Sequence, residues 1–388
     1  MIAYSRHELT RLEIRSVVQD ASSQDLITRE ESMAILMKYP SRFYSPNIYI
    51  RIGLGLLTMV CISSISSIFG MLLDFRNAEI ILLLTALGCF GLLEYFIQSK
   101  QHYRSGIDDV LLHTGISCLL IFIGIQTENH GRANSIILSL SAIICYTLAA
   151  LRYLDRLALI GALASIAFFS FSMWENSPPE MALYPCWTLA LILSAIAVIA
   201  HQQKDRKGAN FHRHLLILLE NLAALGAYAS LHIITIDTVL TENTRTNSAN
   251  ALNPVAAILY WSWTLAIPAL FIWYALRKRE SLSIRLSLLA ILSVFYAQHQ
   301  FYPLFEHELA AVFYGLLLLL AGWMAIRYLK QDNSVYSFRH GGDEGDLLGQ
   351  NPFLVVAGFA GVGQEAPATT DTRFGGGSFG GAGAGSEF

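Results

Sequence analysis

The sequence predicts an all-α integral membrane protein of about ten transmembrane helices, with a short helical N-terminal segment and a disordered glycine-rich tail. Three observations carry this expectation. Only 14% of the 388 residues are charged, 54% are hydrophobic, and the mean hydropathy is +0.47, whereas a soluble domain is about 25% charged. Apolar runs of roughly the 20 residues needed to cross hydrocarbon recur throughout positions 49–328. The basic residues, finally, are distributed between the connecting segments as a two-sided membrane protein requires. The chain therefore divides into a cytoplasmic helical hairpin (1–48), a ten-helix transmembrane domain (49–328) and a cytoplasmic glycine-rich tail (329–388).

The N-terminal segment reads as two helices. "HELTRLEIRSVVQDAS" sets Leu9, Leu12, Ile14, Val17 and Val18 among charges in a loose amphipathic pattern. "TREESMAILMKYP" opens with Thr28 and Glu31 at capping-box spacing, carries an apolar face of Met33, Leu36 and Met37, and ends at Pro40. A hairpin of about 40 residues buries little surface alone, so docking on the inner membrane face or on a partner is expected. The first 45 residues contain no uncharged apolar run, and no cleavable signal peptide is expected.

Spans are expected at about 49–73, 78–98, 108–126, 133–151, 157–174, 183–201, 214–236, 255–276, 284–300 and 308–328. The connections "DFRN", "RYLDR" and "ENSPPEM" are turn-like, so neighbouring helices must pack antiparallel. With the N-terminus in the cytoplasm, all Lys and Arg except Arg76, Arg132 and Arg245 fall on inner segments, which predicts both termini inside and location in the plasma (inner) membrane. Trp174, Trp187, Trp261 and Trp263 lie near outer ends, and Trp273 and Trp323 near inner ones, as interfacial belts do. Pro268 is expected to kink the eighth span, and 237–254 to be a polar outer loop. The cysteines Cys61, Cys89, Cys118, Cys145 and Cys186 are odd in number and lack a CxxC pair, so they read as small hydrophobes. In the tail, Gly341–Phe388 holds half of the chain's 28 glycines, a composition that cannot offset its chain entropy by burial.

The segment "LITREESMAIL", followed by "RIGLGLLTMVCISSISSIFG" opening a many-span region, resembles the bacterial membrane-protein family DUF2157. The likeness covers the N-terminal segment and the first span, and implies this architecture without an activity. The tail's final "RFGGGSFGGAGAGSEF" is similar in composition to the glycine-rich ends of TPM-domain proteins.

Few polar residues interrupt the spans. Glu94, His113 and Glu220, the last followed by Asn221, all fall in the inner half of their helices. An ionised carboxylate at a bilayer centre costs about 2.5–3.5 kcal/mol, so each should face the bundle, be paired or be protonated. A Glu and a His at similar depth are the ingredients of a proton relay. The weightier reading is structural: Glu94 snorkels to the interface, while Glu220 and Asn221 bond neighbouring helices. Glu220, Ala223 and Ala227 recur at three and four residues and so share one face, which should be the packed one. A second polar group, His299 with Glu306, His307 and Glu308, falls in an outer turn whose spacing matches no zinc pattern. No metal or cofactor is expected. No Ser/His/Asp set, HExxH or phosphate loop stands in a credible context, so an enzyme is not expected, and a net charge of −3 argues against nucleic acid. Two functions remain. One is an accessory, scaffold or sensing component that meets lipid and, through its hairpin or tail, cytoplasmic partners. The other is a secondary transporter or proton-coupled permease using Glu94, His113 and Glu220.

Overall fold

A computed structural model describes residues 2–302, apart from breaks at 24–25, 74–76, 176, 205, 207–209, 245–253 and 279–280, together with isolated residues between 309 and 327. The glycine-rich tail, most of the tenth expected span, and Glu306, His307 and Glu308 lie outside the described residues.

The described residues form helices and no strand. Two helices precede the apolar region, α1 (Arg6–Ser23) and α2 (Arg29–Lys38). The capping box forms: Thr28 Oγ1 accepts the Glu31 N–H, and the Glu31 carboxylate accepts the Thr28 N–H. The Thr28 N–H and the Thr28 hydroxyl both donate to the Glu31 carboxylate and hold it below its usual value.

The apolar region contains α3 (Ile48–Leu72), α4 (Ala78–Lys100), α5 (Ile107–Thr127), α6 (Arg132–Tyr153), α7 (Arg156–Met173) and α8 (Tyr184–Gln203). It continues with α9 (Arg213–Ser230), α10 (Ile233–Thr244), α11 (Pro254–Lys278) and α12 (Ser281–Phe301). Eight of these helices are long and apolar enough to cross a membrane, or nine with α9 and α10 taken together.

The seventh span is not the single helix that its apolar run suggested. It breaks at Leu231–His232, and α10 leaves α9 at 51°. The start of the expected polar loop, through Thr244, is the second half of α10. His232, near the outer end of the expected span, does not reach water; it is buried against the Tyr228 ring. By contrast α11 runs unbroken through Pro268.

Short connections impose antiparallel neighbours, and the closest helix pairs are α4 with α5, α6 with α7, α8 with α9, and α11 with α12. Gly161 shows how closely one pair approaches: a Cβ there would run into the Tyr146 ring. In α3 only Gly55 and Gly70 are buried, so its large apolar side chains point outward. The main apolar core joins α4–α7 and α9, and includes Tyr4, Leu9 and Phe43 of the N-terminal segment. A second core gathers Cys186, Leu231, Ile233, Ile236, Tyr260 and Ala297 around the α9–α10 break.

Candidate functional site

The ends of α4, α6 and α8 and the starts of α5, α7 and α9 lie at one end of the bundle, here termed the basic end because its connections carry Lys100, Arg104, Arg152, Arg156, Lys204 and Arg206. The N-terminal segment is built into this end. Ala3 N–H donates to the Arg152 carbonyl (2.9 Å), Tyr44 N–H to the Gln101 carbonyl (3.0 Å), and Tyr103 N–H to the Tyr44 carbonyl (3.2 Å). Tyr4, Phe43 and Tyr103 form one aromatic group. Buried Glu8 ties α1 to the returning chain by accepting from Arg11 and from the Arg42 N–H, both at 2.9 Å.

Beneath this segment the loops 101–106 and 154–155 enclose charge. Asp108 accepts from Ser105 N–H (2.7 Å) and Ser105 Oγ (3.0 Å), and His102 Nδ1 lies 2.8 Å from the same hydroxyl. Asp109 accepts from Arg51 Nε (2.9 Å) and Nη2 (2.6 Å). Asp155 caps α7 through the Ala158 N–H (2.7 Å) and stands 3.1 Å from His113 Nε2. Tyr4, Arg104, Asp108, Asp109, Tyr153 and Asp155 line a cavity of about 10 Å³, roughly the space of one water.

Burial raises the Tyr4 phenol well above its ordinary value, and the nearby Asp108 carboxylate adds to the effect. Burial lowers His102, against the opposing influence of Asp108. Burial alone would raise Asp155, but His113 and the Ala158 N–H outweigh it and hold the carboxyl below the usual range.

The backbone is strained at the same place. Among the described residues, the non-glycine positions with left-handed φ are Gln101 (55°), Arg104 (50°) and Leu154 (52°), all in these two loops. Gln101 and Leu154 cap helices where glycine is usual, and such conformations persist where surrounding structure over-determines them. Gly106 (φ 91°) does require glycine, because a Cβ would strike the Arg51 carbonyl.

The structure divides the residues singled out from the sequence. Glu94 and His113 meet the same α6–α7 connection: Glu94 accepts from Arg152 Nε (2.9 Å) and Tyr153 OH (2.6 Å), while His113 faces Asp155. Glu220 stands apart from them in a second station. It is 8% exposed and meets Lys204 Nζ (2.6 Å), His201 Nδ1 (2.8 Å) and Tyr274 OH (3.1 Å), from α11 and the C-terminal end of α8. Ala223 and Ala227, on the same face, are also buried. Asn221 donates to the Ile217 carbonyl (2.9 Å) and accepts from Ser283 Oγ of α12 (2.7 Å). No hydrogen bond joins Glu94, His113 and Glu220 to one another among the described residues. His299, assigned from sequence to an outer turn, belongs to the last turn of α12. Among the described residues no three His, Cys, Asp or Glu side chains form a metal-binding group.

A third polar knot lies deeper. Pro268 has no N–H, so it frees the Thr264 carbonyl one turn earlier. The Tyr228 hydroxyl reaches that carbonyl (3.3 Å) and also contacts the Ala290 carbonyl (3.4 Å) and Ser293 Oγ (2.9 Å). Thr264 Oγ1 accepts the Ile233 N–H that the α9–α10 break exposes (3.1 Å), and Trp263 Nε1 donates to the Tyr228 carbonyl (3.3 Å). Sequence reading passed over Tyr4, Asp108, Asp109, Asp155 and Tyr228. Asp108 and Asp109 had a signal, two adjacent acids after a glycine; Tyr228 had none beyond being one aromatic in an apolar run.

The fold and these stations define a class, a multi-pass helical membrane protein with buried polar knots. No family model, curated protein or solved structure matches the chain.

Proposed function

We propose that the chain is a non-enzymatic accessory or sensing component of the plasma (inner) membrane, with its basic end in the cytoplasm and α2 as its docking face for a cytoplasmic protein. The observation that carries this reading is the unequal treatment of the two N-terminal helices. Leu9 and Val18 of α1 are buried, yet Met33 and Met37 of α2 are 58% and 79% exposed. Methionine faces are adaptable binding surfaces, and α2 is joined through α1 and Tyr44 to the strained loops of the charged chamber. A partner seated on α2 would thus bear on the membrane helices.

The test is affinity purification of the full chain from native membranes, beside Met33→Ser/Met37→Ser. Both substitutions lie on exposed positions, so thermal stability should be unchanged while a specific cytoplasmic partner is lost. An unchanged partner set would refute the proposal.

A proton-coupled permease is the alternative. In its favour, Glu94 and His113 face the same α6–α7 connection, and the seventh span is interrupted between α9 and α10. Against it, each acid already has a basic or hydroxyl partner of its own. Proton uptake into vesicles that is abolished by Glu220→Gln without loss of stability would favour the permease.

A further inference from the structure

A cavity of about 680 Å³ lies away from the charged chamber, between α11 and the start of α8, with Leu231 of the α9–α10 break among its lining. We propose that it is a binding groove for the hydrocarbon chain of a bilayer lipid, entered sideways from the membrane. Three observations identify the occupant.

The polar atoms of the lining are spent on the protein itself. Trp187 Nε1 donates to Tyr260 OH (3.2 Å), Trp263 Nε1 to the Tyr228 carbonyl (3.3 Å), and Ser262 Oγ to the Ile258 carbonyl (2.7 Å). The remaining lining is aliphatic, so a polar ligand would lose its hydration without compensation, whereas a hydrocarbon chain would not. Next, both α8 and α11 are candidate spans, and Val255, Ile258 and Leu259 on the groove's rim are exposed. The opening thus lies on the flank of two candidate spans, where acyl chains are at hand. Finally, the groove follows α11 from Val255 to Ile267, about 18 Å at 1.5 Å per residue, the shape of an extended chain. Its volume is within the range of about 300–1,000 Å³ common to small-molecule sites. Tyr260, buried and bonded to Trp187, ties α11 to α8 beside it.

Trp187 and Trp263 in the lining provide the readout. Phosphatidylcholine with brominated acyl chains is titrated into the full-length protein in detergent, and tryptophan quenching is followed. Saturable quenching at one lipid per protein is expected. Leu259→Phe adds bulk at an exposed rim position that should not disturb folding, and Ala266→Phe fills the wall. Each should weaken the apparent affinity by about tenfold, equivalent to ~1.4 kcal/mol. Quenching that never saturates, or that saturates equally in wild type and Leu259→Phe, would overturn the proposal. So would a crosslinked dimer in which a second copy shields residues 255–267 from the lipid. None of these outcomes depends on whether α2 binds a partner.

Discussion

The charged chamber at the basic end and the Tyr228 knot meet the same demand with opposite chemistry. Both satisfy backbone or side-chain groups that helices leave unpaired. At the basic end this is done by ions: Asp109 with Arg51, Asp155 with His113, Glu94 with Arg152, and Glu220 with Lys204. Around the Pro268 and Leu231–His232 interruptions it is done by neutral donors and acceptors, Tyr228, Thr264, Ser293 and Trp263. The difference follows from the access of each to water. Near an interface a charge keeps part of its hydration and its partner supplies the rest. Deeper among spans an ion would meet a desolvation cost that one hydroxyl cannot offset. Ionic stations at one end, neutral ones within, are thus what the surroundings of each permit.

The contrast is broken most forcefully at Glu220. Glu220→Leu leaves Lys204 buried, with its principal partner gone, and should cost about 3–5 kcal/mol. Glu220→Gln keeps a hydrogen-bonding group in the same place and should cost clearly less. Thermal unfolding in detergent or nanodiscs compares the two; equal stability of the Leu and Gln variants would remove Glu220 from the structural account.

At the neutral knot the effect should be smaller. Tyr228→Phe preserves the ring but leaves the Thr264 carbonyl without the donor that replaces the missing Pro268 N–H. A loss of about 1–3 kcal/mol is expected. The double variant Tyr228→Phe/Pro268→Ala should recover part of it, because residue 268 then donates to that carbonyl itself. Absence of recovery would show that Tyr228 acts through Ser293 instead.

The smallest effect is one of pH. Asp155 has its carboxyl held below the usual range in the folded protein, so its ionised form contributes stability above the ordinary carboxylate pKa, near ~3.9. That contribution disappears as pH falls through the depressed folded value. Unfolding temperature should therefore drop on acidification below about pH 4, and Asp155→Asn should flatten this part of the profile. The neutral knot has no titrating acid, and Tyr228→Phe should leave the acid limb unaltered.

Much of the fold was legible from the sequence because the membrane makes a simple demand, a long apolar run, which the chain meets eight or nine times among the described residues. The packed face of Glu220, Ala223 and Ala227 was legible too, since helical periodicity places them together. The break at Leu231–His232 was not. It contains neither proline nor glycine, and the groups that stabilise it come from α11, a tertiary effect absent from the local sequence. Nor does the local sequence show that Tyr228, 40 positions away, supplies the donor that Pro268 lacks. The chamber was hidden for a related reason. "RYLDR" reads as a turn, and nothing local says that Asp155 faces His113 or that Tyr4 closes over both loops.

Residues before α3 form part of the membrane bundle rather than an independent hairpin. Amide hydrogen exchange of the full chain in nanodiscs tests it most directly. The Ala3 and Tyr44 N–H groups, bonded to the Arg152 and Gln101 carbonyls, should be protected to the same order as the interior of α4. Tyr4→Ala should release Ala3 while α4 remains protected. Exchange of Ala3 and Tyr44 at the rate of an unstructured peptide in the wild type, with α4 still protected, would mean that the N-terminal segment is independent of the bundle.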